Sequence, residues 1–283
     1  MRVFVYEHVC GGGWSHEHVV ASLAAEGGAM LRALCEDLAR LPQVEVTTTL
    51  DARCGLALPA AVRVIGVESA AQANEEMLHQ AVLADVTFVI APELENTLAR
   101  QVRMLRQAGA GVVAPPDEVL ELCSNKRLLS IPGVPMIPTF RLEQNEPHHI
   151  ASEYAVIKPA FGAGSQTLSV IPTAQLEQLR TPPHTPPLET LIVQPYMAGT
   201  AASMAAMANS QGELTILPPA RQLLSNDGYL RYEGGIVPWR TTAAEAMGQI
   251  VRRCFDVLEG LEGYIGFDFV LPEAAPDQPL LVE

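Results

Sequence analysis

The segment VIKPAFGAGSQ, residues 156–166, is the part of the sequence that most constrains the fold. Lys158 ends an apolar run typical of a buried strand, and the small residues Gly162, Gly164 and Ser165 follow shortly after it. A flexible backbone that offers several N–H groups beside an ammonium and a hydroxyl is suited to binding a polyphosphate. The segment is not a Walker A loop, because the lysine precedes the glycines. Taken alone, it is explained equally well as a structural hairpin turn.

Two acidic residues further along the chain lie in apolar strands. Asp268 is in GYIGFDFVL (263–271), and Glu283 ends PLLVE (279–283). A carboxylate inside an apolar strand is costly unless it is paired or bound to a cation. If the two strands are neighbours, the two carboxylates are expected to hold Mg²⁺ or Mn²⁺ together with phosphates.

Further features precede and follow the glycine-rich segment. Lys126 in SNKRLL (124–129) offers a second ammonium, and the strand LIVQPYM (191–197) leads into a Gly-containing turn. In kind and in order, the whole set resembles the ATP-grasp superfamily. The resemblance implies an α/β fold of ATP-grasp architecture, in which an N-terminal doubly wound parallel-sheet domain precedes two α+β lobes that clasp ATP. The expected domains are residues 1–114, 115–192 and 193–283, the last one truncated at the metal-binding motif.

The resemblance also assigns roles to individual residues. Asp268 and Glu283 are expected to bind Mg²⁺ or Mn²⁺. Arg221 and Lys158 are expected to act in catalysis, Arg221 near an acyl phosphate, although Arg221 is also explained as a surface arginine on a strand. The residues expected to bind ATP are Lys126, Lys158, Gly162, Gly164, Ser165, Gln194, Pro195 and Tyr196.

Two departures from the family pattern are visible. In the family the linker between the two lobes contacts adenine, and here that linker is expected at residues 194–196. The family often has an acidic residue just after this linker to hold the ATP ribose, whereas Thr200, Ala201 and Ala202 are neutral. The family also continues past the metal-binding glutamate with an apolar residue and an asparagine, whereas this sequence stops at Glu283. A protein that ended here would be expected to bind Mg·ATP weakly and to turn over little.

The first part of the chain alternates strand-like and helix-like segments. RVFVYEHV (2–9) is rich in β-formers, and a helix is expected over about residues 18–41 because its apolar residues, four leucines and Met30, fall at three- and four-residue steps or multiples of them. Such alternation predicts a parallel, doubly wound sheet over residues 1–114, with ligands at the carboxyl ends of its strands. Candidate substrate-binding residues there are Tyr6, Glu7, Gly11, Gly12, Gly13 and Glu93. The alternatives are that Tyr6 is a core residue and Glu7 a solvated or salt-bridged strand end.

Composition excludes several classes of protein. With 48% hydrophobic and 18% charged residues, the 283-residue chain is expected to fold rather than to be disordered. A formal charge of −14 makes nucleic acid and anionic membranes poor partners. No apolar stretch is long enough to span a membrane, so a soluble, cytoplasmic protein is expected. The resemblance to the ATP-grasp superfamily adds a homodimer as an open alternative to a monomer.

Four segments carry a narrower resemblance: FVYEHVCGGG (4–13), LAAEGGAMLRALCEDL (23–38), VIAPELENTL (89–98) and YEGGIVP (232–238). They resemble the ATP-grasp branch that contains tyramine–L-glutamate ligase. The resemblance implies a carboxylate–amine ligase that uses ATP to join the γ-carboxyl of L-glutamate to tyramine through an acyl phosphate, in methanofuran-type cofactor synthesis. The alternatives are a ligase for another amino acid or amine, and a relative that binds nucleotide without catalysis. A dinucleotide-dependent oxidoreductase is disfavoured, because His16 stands where its GxGxxG motif needs glycine.

Overall fold

The computed structural model describes residues 1–14, 19–92, 94, 96–142, 150–162, 168–180 and 190–283, with the backbone alone over 177–180. The chain divides into two compact units, Met1–Asp117 and Glu118–Glu283. The expected division into three domains stays a prediction. Among the helices of the described part, none has the length and hydropathy that crossing a membrane requires.

Unit 1 is built on a four-stranded parallel sheet with the strand order β3-β2-β1-β4. Its strands are β1 (Arg2–Glu7), β2 (Glu45–Asp51), β3 (Arg63–Val67) and β4 (Val86–Ile90). The segment GVVAPP (111–116) makes a single parallel bridge to this sheet, between Val112 and Thr87. The predicted parallel sheet is confirmed.

Both faces of this sheet are covered because β1 is apolar on both sides. On one face, Val3 and Val5 pack with Leu31 and Cys35 of the first helix. On the opposite face, Phe4 and Tyr6 pack against the second and third helices. Successive side chains of a strand point to opposite faces, which explains the two separate clusters. The helices are α1 (Ala21–Ala39), α2 (Ala70–Leu83) and α3 (Thr97–Gln107).

Unit 2 begins within α4 (Asp117–Ser124) and contains two antiparallel sheets. The smaller sheet has the strand order β5-β8-β6-β7. Its strands are β5 (Phe140–Arg141), β6 (Tyr154–Pro159), β7 (Ser169–Pro172) and β8 (Leu191–Pro195). The pairing of β6 with β7 confirms that two strands flank the glycine-rich segment.

The larger sheet of unit 2 has the order β12-β11-β9-β13-β14, with β10 paired to β9. Helix α5 (Ala244–Val257) packs on one face, where Ala202, Phe267 and Phe269 are buried with Met247. The other face carries Ser203 of β9, which pairs with Asp268 of β13. The strands are β9 (Gly199–Ala208), β10 (Leu214–Ile216), β11 (Ala220–Leu224), β12 (Tyr232–Ile236), β13 (Gly263–Pro272) and β14 (Leu280–Leu281).

Candidate active site

The two lysines of the chain, Lys126 and Lys158, converge on one carboxylate. The Lys126 Nζ lies 2.7 Å from Glu283 Oε2, and the Lys158 Nζ lies 3.7 Å from Glu283 Oε1. Both lysines are nearly buried, with 8% and 7% of their surface exposed. The chain has no other lysine, so all its side-chain ammonium groups are in this cluster.

Local structure holds each lysine next to the glycine-rich segment. Lys158 is in the buried strand β6, as the sequence predicts. Lys126 follows α4, where its backbone N–H donates to Ala160 O at 3.0 Å and its Nζ donates to Gly162 O at 2.8 Å. The start of the glycine-rich segment is thereby attached to the same cation that pairs with Glu283. Gly164 and Ser165 lie outside the described residues.

The carboxylates of Asp268 and Glu283 belong to adjacent chain segments, as predicted. The Asp268 N–H donates to Glu283 O at 2.8 Å, and the Val282 N–H donates to Asp268 O at 2.7 Å, so the antiparallel pairing of β13 and β14 extends to the last residue. The cluster therefore contains two carboxylates and two ammonium groups. The described ranges contain no group of three or more His, Cys, Asp or Glu residues suited to a metal ion, so protein carboxylates alone would fill only part of a cation's coordination shell.

Burial sets the proton affinities of this cluster. The pKa of Lys158 is lowered because burial disfavours its charged form more than Glu283 restores it. Burial would raise the pKa of Glu283, but Lys158 and Lys126 together hold it below its usual value. Among the described residues Asp268 makes no ion pair, and burial, followed by repulsion from Glu283, raises its pKa to about 6 against the smaller opposing effects of Gln222 and the two lysines.

The segment expected to contact adenine, residues 194–196, begins within β8 and is hydrogen-bonded to the smaller sheet. Gln194 is buried, and its Nε2 donates to Thr139 Oγ1 at 2.8 Å. Pro195 pairs with Ala155 in the β6–β8 ladder. The Tyr196 N–H donates to Tyr154 O at 2.9 Å, so that donor is already used within the chain.

The register of the larger sheet separates Arg221 from Asp268. Arg221 pairs with Ala202, and Ala202 pairs with Phe269, so Arg221 belongs to a row on the α5 face of the sheet. Its neighbour Gln222 is on the opposite face, where Gln222 Nε2 donates to Asp268 Oδ1 at 2.9 Å. The structure thus brings Gln222, which the sequence did not single out, to Asp268. Only the strand register carries the signal that would have identified it.

In unit 1 the predicted substrate-binding residues form a compact cluster at the end of β1. Tyr6 and Glu7 are each 1% exposed. The Glu7 carboxylate accepts the N–H groups of Val9 at 3.1 Å and Cys10 at 2.5 Å. Burial raises the pKa of Glu7, and these two hydrogen bonds oppose that rise. Tyr6 is a core residue. The alternative that Glu7 is a solvated strand end is wrong, and within the described part of the chain Glu7 has no salt-bridge partner.

The three glycines that follow are required for packing inside this unit. Gly12 has a φ of 90°, and a Cβ there would overlap Val67 and lie 3.0 Å from Ala73. A Cβ on Gly13 would lie 2.5 Å from the Tyr6 hydroxyl, and one on Gly11 would lie 3.1 Å from the Tyr6 ring. Their contact with a substrate stays a prediction, and Glu93 lies outside the described residues.

The comparisons with known proteins identify the family. Residues 123–283 match the model of the ATP-grasp domain, and residues 44–118 match that of the pre ATP-grasp 3 domain. The first match alone covers more than half of the chain, and the chain belongs to the ATP-grasp family. A comparison with curated protein sequences found no match.

Solved structures confirm the expected fold. An ATP-grasp superfamily protein from Archaeoglobus fulgidus is 18% identical, with a TM-score of 0.68 over 100% of this chain and 79% of that chain. N5-carboxyaminoimidazole synthetase from Staphylococcus aureus, complexed with ADP, is 14% identical, with a TM-score of 0.67 over 100% and 69%. D-alanine–D-alanine ligase from Bacillus anthracis is 12% identical, with a TM-score of 0.62 over 100% and 85%. At these identities the similarity concerns the fold alone.

Proposed function

We propose that the protein is an ATP-dependent ligase that joins a carboxylate to an amine through an acyl phosphate. The observation that carries the proposal is the convergence of both lysines of the chain on Glu283, beside Asp268. Buried ammonium groups and carboxylates in one place are what binding of a metal–polyphosphate complex requires. Membership of the ATP-grasp family supports the same assignment.

The residues of the cluster fit a divalent cation and phosphates as partners. Asp268 and Glu283 offer the carboxylate oxygens that Mg²⁺ or Mn²⁺ prefers. When bound, the cation would neutralise negative charge on the transferred phosphoryl group. Lys126 and Lys158, which pair with Glu283, would bind phosphate oxygens. Phosphates and the cation would then serve as counterions of the ammonium groups and the carboxylates, so no buried charge is left unpaired.

Lys158 is the better supported of the two predicted catalytic residues. It lies in the cluster itself and would stabilise the charge that develops as the phosphoryl group moves to the substrate carboxylate. Arg221 occupies a row on the α5 face of its sheet, and this position argues against contact with an acyl phosphate at Asp268. The role of Arg221 stays a prediction that the Arg221→Met variant can test.

For the substrates we propose L-glutamate, through its γ-carboxyl, and tyramine. The support is the sequence of the four segments described above, two of which meet in unit 1, where Gly27 packs on Glu7. A cavity between α1 and residues 53–56 adds support for an acidic substrate, because Arg32 and Arg53 are among the residues that line it. Arg53 is also paired with Asp51, which leaves Arg32 as the more available partner for a substrate carboxylate.

Binding and catalysis can be tested separately. Reductive methylation with ¹³C-formaldehyde would label two lysines and the amino terminus, so NMR spectra would contain few signals. Addition of ADP and MgCl₂ should shift both lysine signals and leave the amino-terminal signal in place. Unchanged lysine signals would contradict nucleotide binding at this cluster. The Lys158→Met variant assigns the two lysine signals.

Catalysis is tested by incubating the protein with ATP, MgCl₂, L-glutamate and a panel of amines. We expect ADP release only when acid and amine are both present, and a γ-glutamyl amide of tyramine in the mass spectrum. Release with another acid–amine pair would retain the ligase assignment and replace the substrates. ADP-dependent lysine shifts without any product would contradict the ligase assignment and indicate a relative that binds nucleotide without catalysis.

A further inference from the structure

The two carboxylates of the site are held in different ways. Glu283 is paired with two cations, Lys126 and Lys158. Asp268 is held by a neutral group, because Gln222 Nε2 donates to its Oδ1 at 2.9 Å. Within the described residues, no side chain donates a hydrogen bond to Asp268 Oδ2.

The strand register explains why Gln222 reaches Asp268. Ala220 of β11 pairs with Ser203 of β9, and Ser203 pairs with Asp268 of β13. Gln222 is two residues beyond Ala220 and therefore shares its face. The residue opposite Gln222 on the edge strand is Gly235, which has no side chain to compete for the space.

A neutral hydrogen-bond donor affects a carboxylate differently from a lysine or an arginine. It fixes the orientation of the carboxylate by occupying one oxygen, yet leaves the negative charge uncompensated and the second oxygen available. A cation at the same place would neutralise the charge that attracts a metal ion. We propose that Gln222 is a positioning residue that orients Asp268 Oδ2 towards the divalent cation. The inference rests on the proposed function, since it presumes that Asp268 binds the metal.

The test measures how ADP binding depends on the concentration of MgCl₂, by calorimetry on the full chain. In Gln222→Met, which keeps the length of the side chain and removes the donor, half-maximal binding should need about 10- to 100-fold more Mg²⁺. At saturating Mg²⁺ its affinity for ADP should approach that of the wild type. Gln249→Met on the exposed side of α5 is the matched control and should behave as the wild type.

Gln222→Lys separates orientation from charge, because it retains a donor and adds a cation. It should also need more Mg²⁺, whereas a purely structural hydrogen bond would be preserved. A Mg²⁺ dependence in Gln222→Met that matches the wild type would overturn the inference and leave the proposed function intact. An affinity for ADP that falls equally at every Mg²⁺ concentration would likewise overturn it. Absence of ADP binding in the wild type would overturn the proposed function, and this inference with it.

Discussion

Replacing Gly27 by alanine is expected to destabilise the protein, because Gly27 of α1 packs directly on the buried carboxylate of Glu7. A Cβ on Gly27 would lie 2.5 Å from Glu7 Cδ. Ordinary contact begins at 3.4 Å, so the carboxylate would have to move by about 0.9 Å. It cannot rotate freely, because it accepts the N–H groups of Val9 and Cys10.

The loss of stability is set by whichever of two structural adjustments costs less free energy: breaking the hydrogen bonds of Glu7 or shifting the surrounding backbone. Loss of both hydrogen bonds would leave buried polar groups unsatisfied, at about 1–3 kcal/mol each. A shift of the surrounding backbone costs about 1–3 kcal/mol, and an overlap of this size belongs at the upper end. Alanine recovers about 1 kcal/mol through its higher helix propensity. We therefore expect Gly27→Ala to lower the free energy of unfolding by about 2 kcal/mol.

The adjacent glycine supplies the control. A Cβ on Gly28 would lie 3.4 Å from the Sγ of Cys10 and 3.5 Å from Leu56, which is ordinary contact. Gly28→Ala should therefore gain about 0.5–1 kcal/mol from helix propensity alone. Thermal unfolding of the two variants should give melting temperatures about 4–8 °C below and a few degrees above the wild type, respectively. Equal melting temperatures, or a lower one for Gly28→Ala, would refute the packing argument.

Three further outcomes are expected. Asp268→Asn should raise the free energy of unfolding by about 3 kcal/mol near pH 8, because burial raises the Asp268 pKa to about 6 from 3.8. An aspartate with a raised pKa destabilises the folded protein once the pH exceeds that pKa, and asparagine removes this penalty. Urea denaturation should therefore show the gain vanishing near pH 4, where the aspartate is protonated in the folded protein. Lys126→Met should cost about 1.5–3 kcal/mol in the same assay, since Glu283 loses its charge-assisted hydrogen bond at 2.7 Å but keeps Lys158 at 3.7 Å, and a cost under about 1 kcal/mol would show that the pair contributes no more than an exposed one. Gly199→Ala should lower the melting temperature by about 5 °C because its Cβ would lie 2.8 Å from Leu271 C, whereas Gly266→Ala meets nothing within 4 Å and should match the wild type.

The sequence predicts most of the elements that surround the site. Alternating β-rich and helix-periodic segments predict the parallel sheet of unit 1, and helix α1 differs from the prediction only at its ends, Ala21–Ala39 against about 18–41. Lys158 in a buried strand and the two carboxylates on adjacent segments also follow from local pattern. These features are predictable because periodicity and the cost of burying charge are properties of short segments.

Glu7 shows where local pattern fails. A glutamate at the end of a strand is ordinarily solvated, and nothing near it in sequence indicates a cationic partner. Its actual partners are two backbone N–H groups in the turn that follows, and the space for its carboxylate depends on Gly27 in α1. A carboxylate satisfied by backbone donors has no signature in the types of its neighbouring residues.

The sequence by itself determined the order of the elements, the family, and which residues carry charge in apolar surroundings. Only the tertiary structure decided that both lysines meet on Glu283, and that Gln222 rather than Arg221 shares a face with Asp268. The physical reason is that strand alternation fixes which side chains share a face, but not which strands pair or in what register. A shift of register by one residue would exchange Arg221 and Gln222 at the site, and the packing of the whole sheet against α5 excludes that shift.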